Sequence, residues 1–238
     1  MNIKLMKIKI FADGADVESM LKAKNEGIVK GFTTNPSLMK KAGVKNYEEF
    51  ARSVLSEIKD LPVSFEVLSD DFYIMEKEAL KIASWGPNVY IKIPIVNTKG
   101  ESSVPLISKL TNLGLKINVT AILTIEQIEL LSDALSPKTY SIVSIFAGRI
   151  ADTGVDPIPI IKKAIELFKN NKNAEILWAS TREILNIMQA EWAGCHIITV
   201  TDDILKKMNL LGKNLTGFSV DTVKMFYNDA VESGYKLF

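Results

Sequence analysis

Val89 to Ile95 reads VYIKIPI, an apolar β-type run with one lysine at its centre. Lysine is rarely fully buried, because an ammonium taken out of water must be paired or give up its proton. Two readings fit Lys92. As an uncharged amine it could attack a carbonyl and form a Schiff base, and as a cation it could form a structural ion pair with Glu66 or Asp13. An iminium route also needs a proton shuttle. Glu66 and Asp13 could supply one, with one carboxyl group handling water and the other a substrate hydroxyl. Each could equally do no more than neutralise the lysine.

Arg149 in FAGRIAD and the Ser180/Arg182 pair in WASTRE follow two later β-type runs. Two guanidinium groups and a hydroxyl at adjacent strand ends suit an anionic group such as a phosphate. Arg149 alone would read as an ordinary solvated charge in a loop.

The elements that must position these groups repeat along the chain. Strand-like runs at 7–13, 29–35, 63–68, 89–95, 115–122, 140–146, 175–180 and 196–201 alternate with segments whose apolar residues recur at helical spacing. Eight βα units predict an α/β fold, a (β/α)₈ TIM barrel forming one domain over 1–238, with an extra C-terminal helix at about 219–234. Chemistry in that fold belongs at the carboxyl ends of the strands, and side chains alternate between the interior and the helix layer. The polar residues follow that alternation. Asp13 ends the first strand, Thr33 and Asn35 the second, and Ser64 shares a face with Glu66. Lys92 shares one with Tyr90, Asn118 with Thr120, Ser144 with Phe146 and Trp178 with Ser180. Trp178 and Phe146 are expected to line the interior walls, and Cys195 and His196 to be packing residues at the opposite end.

Composition excludes several function classes. A chain of 238 residues with 47% hydrophobic and 24% charged residues can build one large core. Twenty-nine basic against 28 acidic residues leave a net charge of +1 and no dense basic tract, so no nucleic-acid partner is expected. One cysteine and one histidine leave neither a disulfide framework nor a cysteine or histidine metal site. The N-terminal MNIKLMKIKI alternates lysine with apolar residues and reads as the approach to a first strand, not as a signal peptide. No apolar run reaches the ~18–20 residues of a membrane helix. A cytoplasmic protein without a membrane partner is expected.

The motifs GFTTNPSLM (31–39), VYIKIPI, INVTAIL (117–123), FAGRI (146–150) and ASTRE (179–183), in this order over essentially the whole chain, resemble the small single-domain transaldolases and the related fructose-6-phosphate aldolases. The resemblance implies class I aldol chemistry with no metal or organic cofactor. It would make Lys92 the Schiff-base lysine, Glu66 the residue that activates water, Asp13 the acid/base on the hydroxyl beside the breaking bond, and Thr120 a holder of that water. Thr33, Asn35, Asn118, Ser144 and Phe146 would line the dihydroxyacetone end, and Arg149, Ser180 and Arg182 would take the phosphate. The substrates implied are sugar phosphates, or sugar sulfonates that the same arginines could engage. The aldolase branch carries glutamine at position 66 and tyrosine at 146, so Glu66 and Phe146 point to transfer over cleavage. Three departures stand out: Gly14 replaces a threonine beside the acid, Ile145 a proline, and Glu183 a common histidine. Small relatives form rings in which the C-terminal helix packs on a neighbour. With Val220, Val223, Phe226 and Tyr227 at helical spacing, a homo-oligomer based on a pentamer or decamer is expected.

Overall fold

The computed structural model describes residues 6–238. Eight parallel strands close in sequence order: β1 (Lys9–Asp13), β2 (Val29–Thr33), β3 (Val63–Glu66), β4 (Val89–Pro94), β5 (Ile117–Ile122), β6 (Ser141–Ile145), β7 (Ala174–Trp178) and β8 (Ile197–Thr201). β1 pairs with both β2 and β8, which makes the ring complete. The helices are α1 (Val17–Asn25), α2 (Pro36–Lys41), α3 (Tyr47–Glu57), α4 (Phe72–Ala83), α5 (Val104–Asn112), α6 (Ile125–Ser132), α7 (Ala147–Asp152), α8 (Ile158–Phe168), α9 (Leu185–Ala193), α10 (Asp202–Lys206) and α11 (Leu215–Glu232). The fold is the expected (β/α)₈ barrel plus a C-terminal helix. Residues 1–5 of the N-terminal alternating run lie outside the described residues.

Local chemistry sets the helix starts. Asp16, Asn46 and Asp71 each accept a hydrogen bond from a backbone N–H of the first turn, and Thr124 with Gln127 forms a reciprocal capping box. Three short helices, α2, α7 and α10, follow β2, β6 and β8. Arg149 therefore sits on a helix, where the sequence suggested a loop.

Alternation along each strand divides the core in two. Outward residues such as Ile91, Ile93, Val119 and Ile145 pack with Val54, Ala79, Ile107 and Ala164 of the helices. Inward-facing Phe11, Ile142, Leu177, Ala179 and Ile197, with Tyr90 and Phe146, form a separate apolar cluster inside the barrel. Trp178 belongs to the outer layer, contrary to expectation. Its register partner is outward-facing Ile145, while inward-facing Ser144 pairs with Leu177. Phe146 does line the interior.

The C-terminal helix begins earlier than expected, at Leu215, because Asn214 caps it by accepting from the Gly217 N–H. None of its residues is buried, and Val223, Phe226 and Tyr227 are each more than 60% exposed. Its apolar stripe is left uncovered by its own barrel.

Candidate active site

Glu66 and Lys92 are direct register partners on β3 and β4, so both side chains enter the barrel side by side. The Lys92 Nζ lies 3.2 Å from Glu66 Oε2 and donates to the Thr34 carbonyl at 3.0 Å. Lys92 is only 7% exposed. Lys92, Glu66 and Asp13 all line one cavity of about 450 Å³ at the carboxyl ends of the strands.

Asp13 stands at the end of β1 between β2 and β8. Its Oδ1 accepts from the Thr33 hydroxyl at 2.9 Å, and its Oδ2 has a long contact of 3.4 Å with Asn35 Nδ2. Asn35 also caps α2, its Oδ1 accepting from the Leu38 N–H, so the amide is fixed from both sides. Burial raises the proton affinity of Asp13 above the usual carboxylate range, and Glu66 adds to the rise. Lys92 and the Thr33 and Asn35 hydrogen bonds pull the other way. A carboxyl group so placed can hold a proton at neutral pH better than a solvated one.

On the opposite wall, Asn118 donates to Ser64 Oγ at 3.0 Å and accepts from Ser144 Oγ at 2.6 Å. Its amide does not line the cavity; it fixes Ser144, which does. Thr120, 1% exposed, lines the cavity too, and its hydroxyl has no hydrogen-bond partner among the described residues. A buried hydroxyl facing a polar cavity is suited to hold a water molecule. The next residue, Ala121, has φ of 59°, where the pairing of β5 with β6 slips register. The ladder resumes at Ile122, which pairs with Ile145, so the irregularity interrupts it beside the cavity.

Phe146, Arg149 and Ser180 line the side of the cavity under β6 and β7. The Arg149 guanidinium lies 5.9 Å from the centre of the Phe146 ring. Gly148 allows this corner to form: a β-carbon there would sit 1.6 Å from the Ser180 carbonyl oxygen. Only glycine permits α7 to approach so closely. Ser180 itself has φ of 65°, a left-handed conformation just past the end of β7. Arg182 does not line the cavity. Its Nε donates to Asp152 Oδ1 at 3.0 Å, its Nη2 to Oδ2, and its Nη1 to the Ser180 carbonyl at 2.9 Å. Arg182 also holds the Asp152 carboxyl below its ordinary range.

The family model described as Transaldolase/Fructose-6-phosphate aldolase matches residues 10–236. This chain belongs to that family. It is 34% identical over 218 residues to a "Probable transaldolase" of Herpetosiphon aurantiacus, covering 90% of this chain and 94% of the relative. A "Probable transaldolase" of Thermoanaerobacter sp. is 38% identical over 202 residues, covering 84% and 89%. Among solved structures, the aldolase QR15 superposes with a TM-score of 0.54 at 14% identity, covering 86% of this chain and 97% of its own; this likeness concerns the fold alone.

Within this transaldolase/aldolase family member, sequence reasoning missed Thr199. Its hydroxyl lies 2.6 Å from that of Thr33 at the base of the cavity. In HIITVT Thr199 alternates with Ile198 and Val200, which puts it on the inner face, but a threonine in a strand is too common to mark a site by itself. Cys195 and His196 sit at the other end of the barrel as expected. Cys195 is buried, with its thiol pushed up to about 12, and His196 Nδ1 accepts from the Ile176 N–H at 3.0 Å.

Proposed function

We propose that this chain is a transaldolase, acting as one catalytic domain that moves a dihydroxyacetone unit from a ketose phosphate of the fructose 6-phosphate type to an aldose phosphate. The observation that carries this reading is the buried Lys92 amine paired with Glu66, with Asp13 on the same cavity. Shifting the shared proton from Nζ to Glu66 leaves an amine free to add to the C2 carbonyl and an acid able to expel the resulting hydroxyl as water. The Thr120 hydroxyl is placed to hold that water.

With the iminium as electron sink, Asp13 takes the proton of the C4 hydroxyl. The C3–C4 bond breaks, an aldose phosphate departs, and a three-carbon enamine stays on Lys92. An incoming aldose phosphate runs the same steps in reverse: the enamine carbon attacks its aldehyde, Asp13 returns the proton to the new hydroxyl, and water releases the new ketose. Thr33, Asn35 and Ser144 line the end where the three-carbon unit would sit, with Asn118 behind Ser144; Arg149 and Ser180 form the anion end, which Arg182 joins once it leaves Asp152. No metal or organic cofactor takes part in these steps.

A second reading uses the same residues for cleavage with release of free dihydroxyacetone, or for a sulfonated sugar, whose charge suits the same arginines. Phe146 favours transfer, because its ring offers no hydroxyl to protonate a waiting enamine. The uncovered stripe on α11 supports a homo-oligomer built on a pentamer or decamer, and a monomer in light scattering at micromolar concentration would overturn that. The setting proposed is cytoplasmic carbohydrate metabolism. Borohydride reduction in the presence of fructose 6-phosphate, followed by mass spectrometry, tests the mechanism: the three-carbon adduct should appear on the Lys92 peptide, and its absence there would refute the Schiff-base reading.

A further inference from the structure

We propose that Thr199 is a positioning residue for Asp13: it fixes the direction of a hydrogen-bond chain running Thr199 to Thr33 to Asp13, so that Oδ2 of Asp13 is the oxygen left to carry the proton. This rests on the reading of Asp13 as the acid/base group of the reaction.

The argument is one of counting protons. Thr33 Oγ1 lies 2.9 Å from Asp13 Oδ1 and 2.6 Å from Thr199 Oγ1. A hydroxyl has one proton and an ionised carboxylate has none to give. Thr33 therefore donates to Asp13 and accepts from Thr199. Distances alone would allow either threonine to be the donor; the carboxylate at the end of the chain decides it. All three groups are at the ring's closing seam, since β1 pairs with β2 on one side and β8 on the other. Thr33 and Thr199 are both buried, at 3% and 6% exposure, so water does not compete freely for either hydroxyl. The end of β8 is itself anchored, its Thr199 carbonyl accepting from the Thr181 hydroxyl at 2.7 Å.

Direction has a chemical result. Placing a proton on Oδ1 would require Thr33 to turn and donate to Thr199, whose own proton has no other side-chain acceptor among the described residues. Oδ2 has only the 3.4 Å contact from Asn35, and Asp13 is among the residues that line the cavity. The carboxyl group thus has one saturated oxygen and one working oxygen. The charged groups around it are Lys92 on β4, Glu66 on β3 and Arg149 on α7, with Lys41, Asp16, Asp202 and Asp203 lining an adjoining groove. Burial already raises the affinity of Asp13 for a proton, which makes each donor on the carboxylate matter more.

The test is the pH dependence of kcat/KM for transfer from fructose 6-phosphate to erythrose 4-phosphate in four proteins: wild type, Thr199→Val, Thr33→Val and the double variant. Loss of a donor chain that favours the carboxylate should move the acid limb upward, by on the order of half a pH unit for Thr199→Val and by more for Thr33→Val. In the Thr33→Val background the Thr199 change should add nothing, because the link through which it acts is gone. Thr199→Ser should restore the wild-type midpoint. An unshifted limb in Thr199→Val, or a shift fully additive with Thr33→Val, overturns the proposal. Should the valine variant not fold, Thr199→Ala removes the same hydroxyl and is held to the same outcomes. Wild-type adduct formation on Lys92, and loss of the acid limb in Asp13→Asn, provide the control. If these fail, the proposed function fails; if they hold and Thr199 moves nothing, only this inference fails.

Discussion

Glu66 Oε2 stands 3.2 Å from Lys92 Nζ on the adjacent strand, in direct register with it. This closeness gives two separable expectations for one substitution. Lys92→Met keeps similar volume and removes the amine, so transfer should fall to background. It also strands the Glu66 carboxylate, which has only 18% of its side chain exposed, so melting temperature should fall. Lys92→Met combined with Glu66→Gln should recover that stability without activity. Normal turnover in the single variant would refute the catalytic role, and identical melting of the two would refute the energetic one.

The two arginines should not behave alike. Arg149 lines the cavity and makes no salt bridge among the described residues, whereas Arg182 is bound to Asp152 and must leave it to reach a phosphate. Arg149→Ala should raise KM for phosphorylated substrates by roughly tenfold to a hundredfold, the range of one charge-assisted contact, and leave unphosphorylated donors nearly unchanged. Arg182→Ala should cost less, because its interaction with substrate replaces one it already has. Equal losses with and without phosphate would make both residues structural.

Phe146→Tyr introduces a hydroxyl on the wall of the cavity that holds Lys92. Release of free dihydroxyacetone from fructose 6-phosphate should rise while transfer to erythrose 4-phosphate falls, and Glu66→Gln should shift the balance the same way. Dihydroxyacetone measured with and without acceptor gives the partition directly. An unchanged ratio in both variants removes the reason for preferring transfer over cleavage.

Gly148→Ala places a β-carbon within 1.6 Å of the Ser180 carbonyl oxygen, a backbone atom that no rotamer change can move aside. The corner must open by more than an ångström, carrying Arg149 and Ser180 apart. KM for phosphorylated substrates should rise by at least about tenfold, with a smaller effect on unphosphorylated ones. Wild-type kinetics in this variant would mean that the approach of α7 to β7 is not needed for binding.

His196 is the only histidine, which makes its titration easy to isolate. The residue reaches solvent at the barrel's lower end, and its Nδ1 accepts from the Ile176 N–H. Burial of that edge lowers its proton affinity, with Lys9 adding to this and Glu175 opposing. The unfolded chain therefore binds a proton near pH 6.5 that the folded chain still refuses. Stability should fall as pH drops below about 6.5 and go on falling until the lower folded value is passed. His196→Asn keeps an acceptor but does not titrate, so its melting temperature should change less between about pH 7 and 5. An identical acid dependence would show that carboxylates alone produce it.

Much of this was legible in the residues themselves. Alternation placed Glu66, Lys92, Asn118, Thr120 and Ser144 on the inner face, because a strand has no other way to arrange every second side chain. The same rule failed at Trp178. Alternation continued to Ser180 would put both residues on one face, but β7 ends at Trp178 and the chain turns at a positive φ. Ser180 reaches the cavity by leaving the strand, not by sharing a face with Trp178. Two other features depend on contacts between distant segments. The Arg182 bond to Asp152 spans 30 residues and needs the Gly148 approach, and the Thr199 bond to Thr33 spans 166 and needs the closed ring.

Ring closure also gives the site a place in time. During synthesis Asp13 and Thr33 emerge early, while β8 and Thr199 are made only after the other seven strand segments. A partly made chain can hold Lys92 beside Glu66, since β3 and β4 are consecutive, yet Asp13 stays unsupported on its far side until β8 docks. Pairings of such long sequence separation are slow to form. The Lys92–Glu66 pair thus depends on neighbouring segments of the chain, whereas the surroundings of Asp13 are complete only when the last strand meets the first.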